Sequence, residues 1–270
     1  MTAYRHIEVE RRGAVEIIRL NRPRYRNAQS RIMLEEMTKA FAAADRDNEV
    51  KVVVLAGAGD HFSAGHDLGT PDETADWETR PFGEGTIALV QRSWSLYVDY
   101  SLRWRDVKKP TIAMVQGYCI FGGYLIATCM DLIIASDDAK FLPSMSQLFT
   151  APWDLGVRNT KRIMFENRFI PAAEAKDLGL VSQVVPRDQL DAAVMEQAEK
   201  WCSTDLLSLR MLKHAINQAQ DAMGYRRALH AHHSSYMLLE MGRRAEGMDK
   251  SKPKQLRGVG AALAKETSGN

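Results

Sequence analysis

Apolar and polar residues alternate over residues 6–10 and 14–20, on either side of Arg12-Gly13. Successive strand side chains point to opposite faces, so this period of two predicts a β-hairpin, ended by Asn21-Arg22-Pro23. Beyond Ser30, a good N-cap, Ile32, Met33, Met37, Ala40, Phe41 and Ala44 recur at helical spacing. Residues 50–56 are a β-branched run of the kind found in strands buried on both faces, and residues 57–67 are a glycine-broken loop. Residues 70–85 are polar, with two prolines and two glycines, and read as a mobile surface loop. A helix is expected over residues 87–105, carrying Trp94, Tyr97, Tyr100 and Trp104. Lys108-Lys109-Pro110 then leads into a buried strand at 111–115, a helix at 122–130 and a strand at 132–135.

Strands alternating with helices imply βαβ units and a parallel sheet with right-handed crossovers. From about residue 187 the pattern changes to consecutive amphipathic helices at 188–202, 205–222 and 225–241. The expected organisation is an α/β core over residues 1–186 and a helical region over 187–270. Within the latter, the charged stretch 242–270 is expected to be loosely held.

Composition narrows the partners. Lys+Arg 36 against Asp+Glu 34 gives a net charge of +2, and the basic residues are scattered, which speaks against nucleic acid. No apolar run is long enough to span a membrane, and residues 1–12 lack the apolar segment of a signal peptide. Cys119, Cys129 and Cys202 are odd in number and sit in apolar segments, as free cytosolic thiols do. A cytoplasmic protein is the expectation.

Two glycine-bearing loops follow predicted parallel strands, at the carboxyl ends where ligands bind in open α/β sheets. One runs from His61 to Leu68; the other runs from Gly117 to Gly123 and opens a helix. Two convergent backbone N–H groups there would stabilise a developing oxyanion, although either loop alone is more often just a tight turn. Gly57-Ala58-Gly59 lacks the third glycine of a dinucleotide fingerprint. His230, His232 and His233 do not all share one helix face, so solvated or interface histidines are expected and no metal site. The aromatic set on 87–105 reads as core or oligomer packing.

Taken together, Leu20-Asn21-Arg22-Pro23 with Asn27-Ala28, Phe62-Ser63-Ala64-Gly65-His66-Asp67-Leu68, and Lys109-Pro110-Thr111-Ile112-Ala113 with Gln116-Gly117-Tyr118 and Gly122-Gly123 closely resemble the crotonase (enoyl-CoA hydratase/isomerase) superfamily. The likeness continues through Asp131-Leu132-Ile133-Ile134-Ala135, Ala139-Lys140-Phe141 and Glu174-Ala175-Lys176-Asp177-Leu178-Gly179-Leu180-Val181. It runs unbroken from Ile7 to the helix at Asp205. Glu246-Gly247-Met248 with Lys252-Pro253 is a weaker match to the family's closing segment. The resemblance implies a spiral of ββα repeats, a helical trimerisation region giving a homotrimer or dimer of trimers, and an acyl-CoA thioester substrate. Coenzyme A enters as part of that substrate, with no permanently bound cofactor. By position, the oxyanion amides belong to His66 and Gly122. The CoA contacts fall on Arg24, Ala28, Ala64, Asp67 and Leu68, with Arg24 either a phosphate partner or a solvated loop arginine.

The family's hydratases use two glutamates, because adding water needs paired acid and base groups. Leu125 and Met145 stand at those positions, and Phe121 replaces the first glycine of the usual run. What remains nearby is His66, Tyr124, Ser144, Ser146, Gln147 and Asp154. Asp154 reads either as a surviving carboxylate base or as a cap for the helix that follows. The His66 imidazole either donates to a substrate carboxylate or walls the CoA channel. Phe121, Tyr124, Leu125, Ser144 and Met145 are the candidate acyl contacts. The expected function is an acyl-CoA enzyme working through a thioester enolate, with hydration, double-bond shift, hydrolysis or decarboxylation open as the outcome. The alternative is a catalytically inactive acyl-CoA-binding or scaffold subunit.

Overall fold

The computed structural model describes residues 4–246, 260 and 262–265. The hairpin pairs β1 (Ile7–Arg12) antiparallel with β2 (Val15–Leu20), and β2 runs parallel to β3 (Val52–Gly57). Then come β4 (Thr111–Val115), β5 (Tyr118–Ile120), β6 (Leu132–Ser136), β7 (Lys140–Leu142), β8 (Ile170–Pro171) and β9 (Gln183–Val185). A six-stranded sheet has the order β1-β2-β3-β4-β6-β9, and a three-stranded sheet has the order β5-β7-β8.

Two strands of the large sheet hand the chain to the small one, β4 to β5 and β6 to β7. Single parallel bridges, Gln29 with His66 and Ser63 with Cys119, carry the small sheet back through the first two turns. Helices close the turns, which is the expected ββα spiral. Val53 and Leu55 of β3 belong to one apolar cluster while Val52 and Val54 belong to another. Burial on both faces is why the 50–56 run lacks a polar alternate.

The helices are α1 (Arg31–Arg46), α2 (Pro71–Thr79), α3 (Gly85–Ser93), α4 (Tyr100–Arg105), α5 (Gly122–Ala127), α6 (Ala151–Asp154), α7 (Val157–Glu166), α8 (Ala172–Asp177), α9 (Leu190–Cys202), α10 (Leu206–Ala222) and α11 (Tyr225–Ala245). Ser30 Oγ accepts from the Met33 amide and caps α1 as expected, and Asp205 caps α10 through the Ser208 amide. Leu190, Val194 and Ala198 of α9 cover the second face of the large sheet.

Three expectations need correction. Residues 70–85 are not a plain loop, because α2 occupies most of them. Its inward face is charged, so no apolar period announces it. Glu73 accepts from the Arg31 amide at 2.9 Å, and Asp76 accepts from Arg31 Nε at 2.5 Å. Pro71 and two acids in the first turn were its legible start. The 87–105 helix contains a π-helical turn, Trp94–Asp99, between α3 and α4, and the 122–130 helix stops at Ala127. Within the stretch 242–270, Ala262 is buried against Ile120, Leu142 and Phe169. Gly247-Met248 and Lys252-Pro253 lie outside the described residues.

The Arg31 side chain is only 5% exposed, so its partners matter more than those of a surface arginine. Removing one partner strands a buried charge. Asp76→Ala is expected to cost about 3 kcal/mol, read from the denaturant midpoint. A loss under about 1 kcal/mol would show that α2 is dispensable to the core.

Candidate functional site

The loops after β3 and β4 lie side by side. The Ser63 amide donates to Tyr118 O at 3.0 Å, and the Ile120 amide donates back to Ser63 O at 3.0 Å. Two residues of travel on each side then bring Gly65 against residues 120–122. An ideal Cβ on Gly65 would stand 2.8 Å from Ile120 O and 3.1 Å from Gly122 N, and Gly65 has φ +92°, so the position excludes larger residues on both counts.

Phe121 is held at φ +49° and ψ −104°, a costly setting for a residue with a side chain. Its own amide donates to Leu142 O at 2.8 Å, and its carbonyl accepts from Leu125 at 2.9 Å. These bonds fix the strained residue and leave the Gly122 amide at the head of α5. Among the described residues, neither the His66 nor the Gly122 amide has a hydrogen-bond partner. The sequence placed the two amides by motif; the structure brings their loops together.

Gly122 is crowded as well. A Cβ there would sit 2.7 Å from Gln29 Oε1 and 2.7 Å from His66 Nδ1. The His66 ring lies on Tyr97, with centroids 3.9 Å apart, and its Nε2 is 3.1 Å from Gln147 Oε1. Burial removes the solvation of a charged imidazole and lowers its pKa to about 4, so His66 is neutral at physiological pH. A general-base role for the ring is therefore weak. Tyr97 reaches the ring from the π-helical turn, and such turns often occur at functional sites. Gln29 was not singled out in the sequence, because only the fold sets it across from Gly122.

Asp154 does not cap α7, whose N-cap is Gly156. It ends the short α6 instead and accepts from the Tyr124 hydroxyl at 3.4 Å. Burial raises its pKa from 3.8 to about 7, opposed by the hydrogen bonds from Thr150 and Tyr124. Among the described residues it has no cationic partner within ion-pair distance, and no hydrogen bond joins it to His66. It borders a cavity of about 510 Å³ between the end of α5 and α10, together with Arg105, Thr128, Cys129 and Tyr225. Cys119 is buried and its thiol pKa is raised, which fits an inert cysteine.

Of the candidate acyl contacts, Leu125 is buried in the main core, and Phe121 packs beside Ile120, Leu142 and Phe169. Ser144 is half-buried and Met145 is 40% exposed. Around the residues expected to contact CoA, buried Arg22 organises the loops. It donates to Ala28 O at 2.6 Å, Asp67 Oδ2 at 2.7 Å and Thr70 Oγ1 at 2.7 Å. The Asp67 carboxylate also accepts from the Gly69 and Thr70 amides, so Asp67 shapes the loop from within. Ala64 is tied to Arg26 O, while Arg24 is exposed beside the Tyr25 ring and Leu68 is 98% exposed.

Of the histidines of α11, His232 meets Ser146 O, His233 meets Ser93, and both His230 and His233 pack edge-on to the Trp94 ring. Among the described residues, no group of three side chains is placed to hold a metal ion, and no helix is long and apolar enough to cross a membrane.

Two measurements check this geometry. Gly122→Ala forces a methyl group into Gln29 and His66, and is expected to abolish thioester binding while circular dichroism stays unchanged; retained binding would mean that this wall yields. The folded chain holds the Asp154 proton up to about pH 7, whereas an unperturbed carboxyl releases it near 3.8. Folding stability is therefore lost as pH rises through that window and levels off above it. In urea titrations, Asp154→Asn should gain on the wild type between pH 4 and 7; parallel curves would show that Asp154 ionises freely.

Residues 10–250 match the model of the enoyl-CoA hydratase/isomerase family. A Mycobacterium tuberculosis protein provisionally named enoyl-CoA hydratase EchA13 is 37% identical over 237 residues, covering 80% of this chain and 74% of that protein. The structure of a probable enoyl-CoA hydratase from Mycobacterium smegmatis superposes with a TM-score of 0.79 at 38% identity, covering 86% of this chain and 93% of the other. One from Mycobacterium thermoresistibile gives 0.80 at 37% identity, covering 86% and 94%. Matching over nearly the whole described fold, the chain belongs to the enoyl-CoA hydratase/isomerase family.

Proposed function

We propose that the protein binds an acyl-CoA thioester with the carbonyl oxygen between the His66 and Gly122 amides and shifts a double bond in the acyl group through the enolate. The observation that carries this reading is the pair of unpartnered amides on two interlocked loops. Preorganised donors of this kind stabilise charge that develops on the carbonyl oxygen. Arg24, Ala28, Ala64, Asp67 and Leu68 form the CoA rim. Coenzyme A comes and goes with the substrate.

Asp154 is the proton carrier in this proposal. A carboxyl with a pKa of about 7 is suited to both taking and returning a proton near neutral pH. Tyr124 ties it to α5, the helix whose first amide receives the carbonyl. A double-bond shift moves one proton from the α-carbon to the γ-carbon, so one carboxyl serves both steps. Hydration needs a second group, and Leu125 and Met145 are hydrocarbon and thioether where the family's hydratases carry glutamates. The exposed Leu207, Met211, Leu212 and Ile216 of α10 support assembly as a homotrimer or a dimer of trimers.

The same loss of glutamates favours a second reading, an acyl-CoA-binding subunit without turnover. Incubation with trans-3-enoyl-CoA separates the two. Growth of the conjugated thioester band is expected, falling about 100-fold or more in Asp154→Asn with ester binding retained. No growth despite binding would leave the binding subunit. Loss of the band from trans-2-enoyl-CoA, with a 3-hydroxyacyl product by mass, would establish hydration instead.

A further inference from the structure

Two buried acceptor atoms beside Gly122 lack a hydrogen-bond partner among the described residues: Gln29 Oε1 and His66 Nδ1. The Gln29 amide cannot be turned to relieve this. Its Nε2 donates to Ser63 Oγ at 3.3 Å, and the Ser63 hydroxyl hydrogen is already committed to Asn27 O at 2.9 Å. Gln29 therefore presents its oxygen. Gln147 has no such anchor, since among the described residues its side chain hydrogen-bonds only to His66 Nε2. Exchanging its amide oxygen and nitrogen preserves that contact, with the N–H now donating to the ring.

The two arrangements differ in consequence. With the proton on Nε2, two lone pairs, Nδ1 and Gln29 Oε1, face the same small space against Gly122. Each unmet acceptor costs free energy, and both repel a developing oxyanion. With the proton on Nδ1, Nε2 accepts from Gln147, and the Nδ1–H points at the space shared by Gln29 Oε1 and Gly122. Only the second placement turns a donor, and not a lone pair, toward an oxygen that becomes negative there.

We infer that His66 is held as the Nδ1–H tautomer by Gln147 and supplies a third donor to the oxyanion hole, alongside the backbone amides of His66 and Gly122. This rests on the proposed thioester site and adds a side-chain role to a residue placed there for its amide. The ring is locked by Tyr97 on its face and Gln147 at its edge, so the donor needs no reorganisation as charge develops. Staying neutral suits it to polarise a carbonyl by hydrogen bonding without giving up a proton. Gln29 Oε1 makes no hydrogen bond to the ring, so the Nδ1–H is left for a thioester oxygen that enters beside Gly122.

Nitrogen-15 NMR of the His66 ring reads the tautomer directly, before any ligand is added. Protonated Nδ1 is expected, and protonated Nε2 overturns the inference. Raman difference spectra of bound cinnamoyl-CoA then read the donor, because each hydrogen bond lowers the thioester carbonyl stretch. The stretch should move back toward that of free ester in His66→Ala, which keeps both backbone amides, and in the milder Gln147→Leu. On the substrate that turns over, kcat should fall about 100-fold in His66→Ala with KM nearly unchanged, the pattern for a lost oxyanion donor. An unshifted stretch in both folded variants, with ester bound, overturns the third donor and leaves the thioester site standing. Failure of the wild type to bind any CoA ester removes that site, and the inference with it.

Discussion

The hydrogen bonds between residue 63 and β5 are the constraint on which the site depends. They bind the loop after β3 to the loop after β4 in parallel register, so a two-residue advance on each side brings Gly65 against Ile120 and Gly122. Everything proposed for the chemistry follows from that register. The strain at Phe121 is tolerated because β7 takes its amide, and the same contact frees the next amide for a ligand.

A second consequence is the division of labour among polar groups. Around the loops at Arg22 and Asp67 the charges are matched within the protein. Around the amides the polar atoms are neutral and only partly matched, as Gln29 and His66 show. A buried charge without a partner destabilises, whereas a neutral dipole held in place costs less and still stabilises charge that appears transiently. Asp154 combines the two, being a carboxyl whose pKa burial raises to about 7 against the pull of its hydroxyl partners.

The elements that escaped sequence reading share a physical cause. Helix α2 is announced by no apolar period because its buried face is Glu73 and Asp76, and those acids make sense only opposite Arg31. The π-helical turn leaves no simple mark in a helical pattern, yet it is what lays Tyr97 on His66. Gln29 is an ordinary polar residue before a helix until the spiral sets it across from Gly122.

The sequence by itself determined the hairpin, the strand buried on both faces, the α/β core with its helical continuation, and the two glycine loops with their family resemblance. Periodicity and glycine placement are local properties, set by side-chain direction and backbone freedom, and they survive in a one-dimensional reading. Only the tertiary structure decided that Asp154 meets Tyr124 instead of capping α7, that the His66 ring is buried and clamped, and that Arg22 pairs with Asp67 while Arg24 stays exposed. Those outcomes depend on burial and on partners between 30 and 81 residues away in the chain, from Tyr124 with Asp154 to His66 with Gln147, which no local pattern encodes.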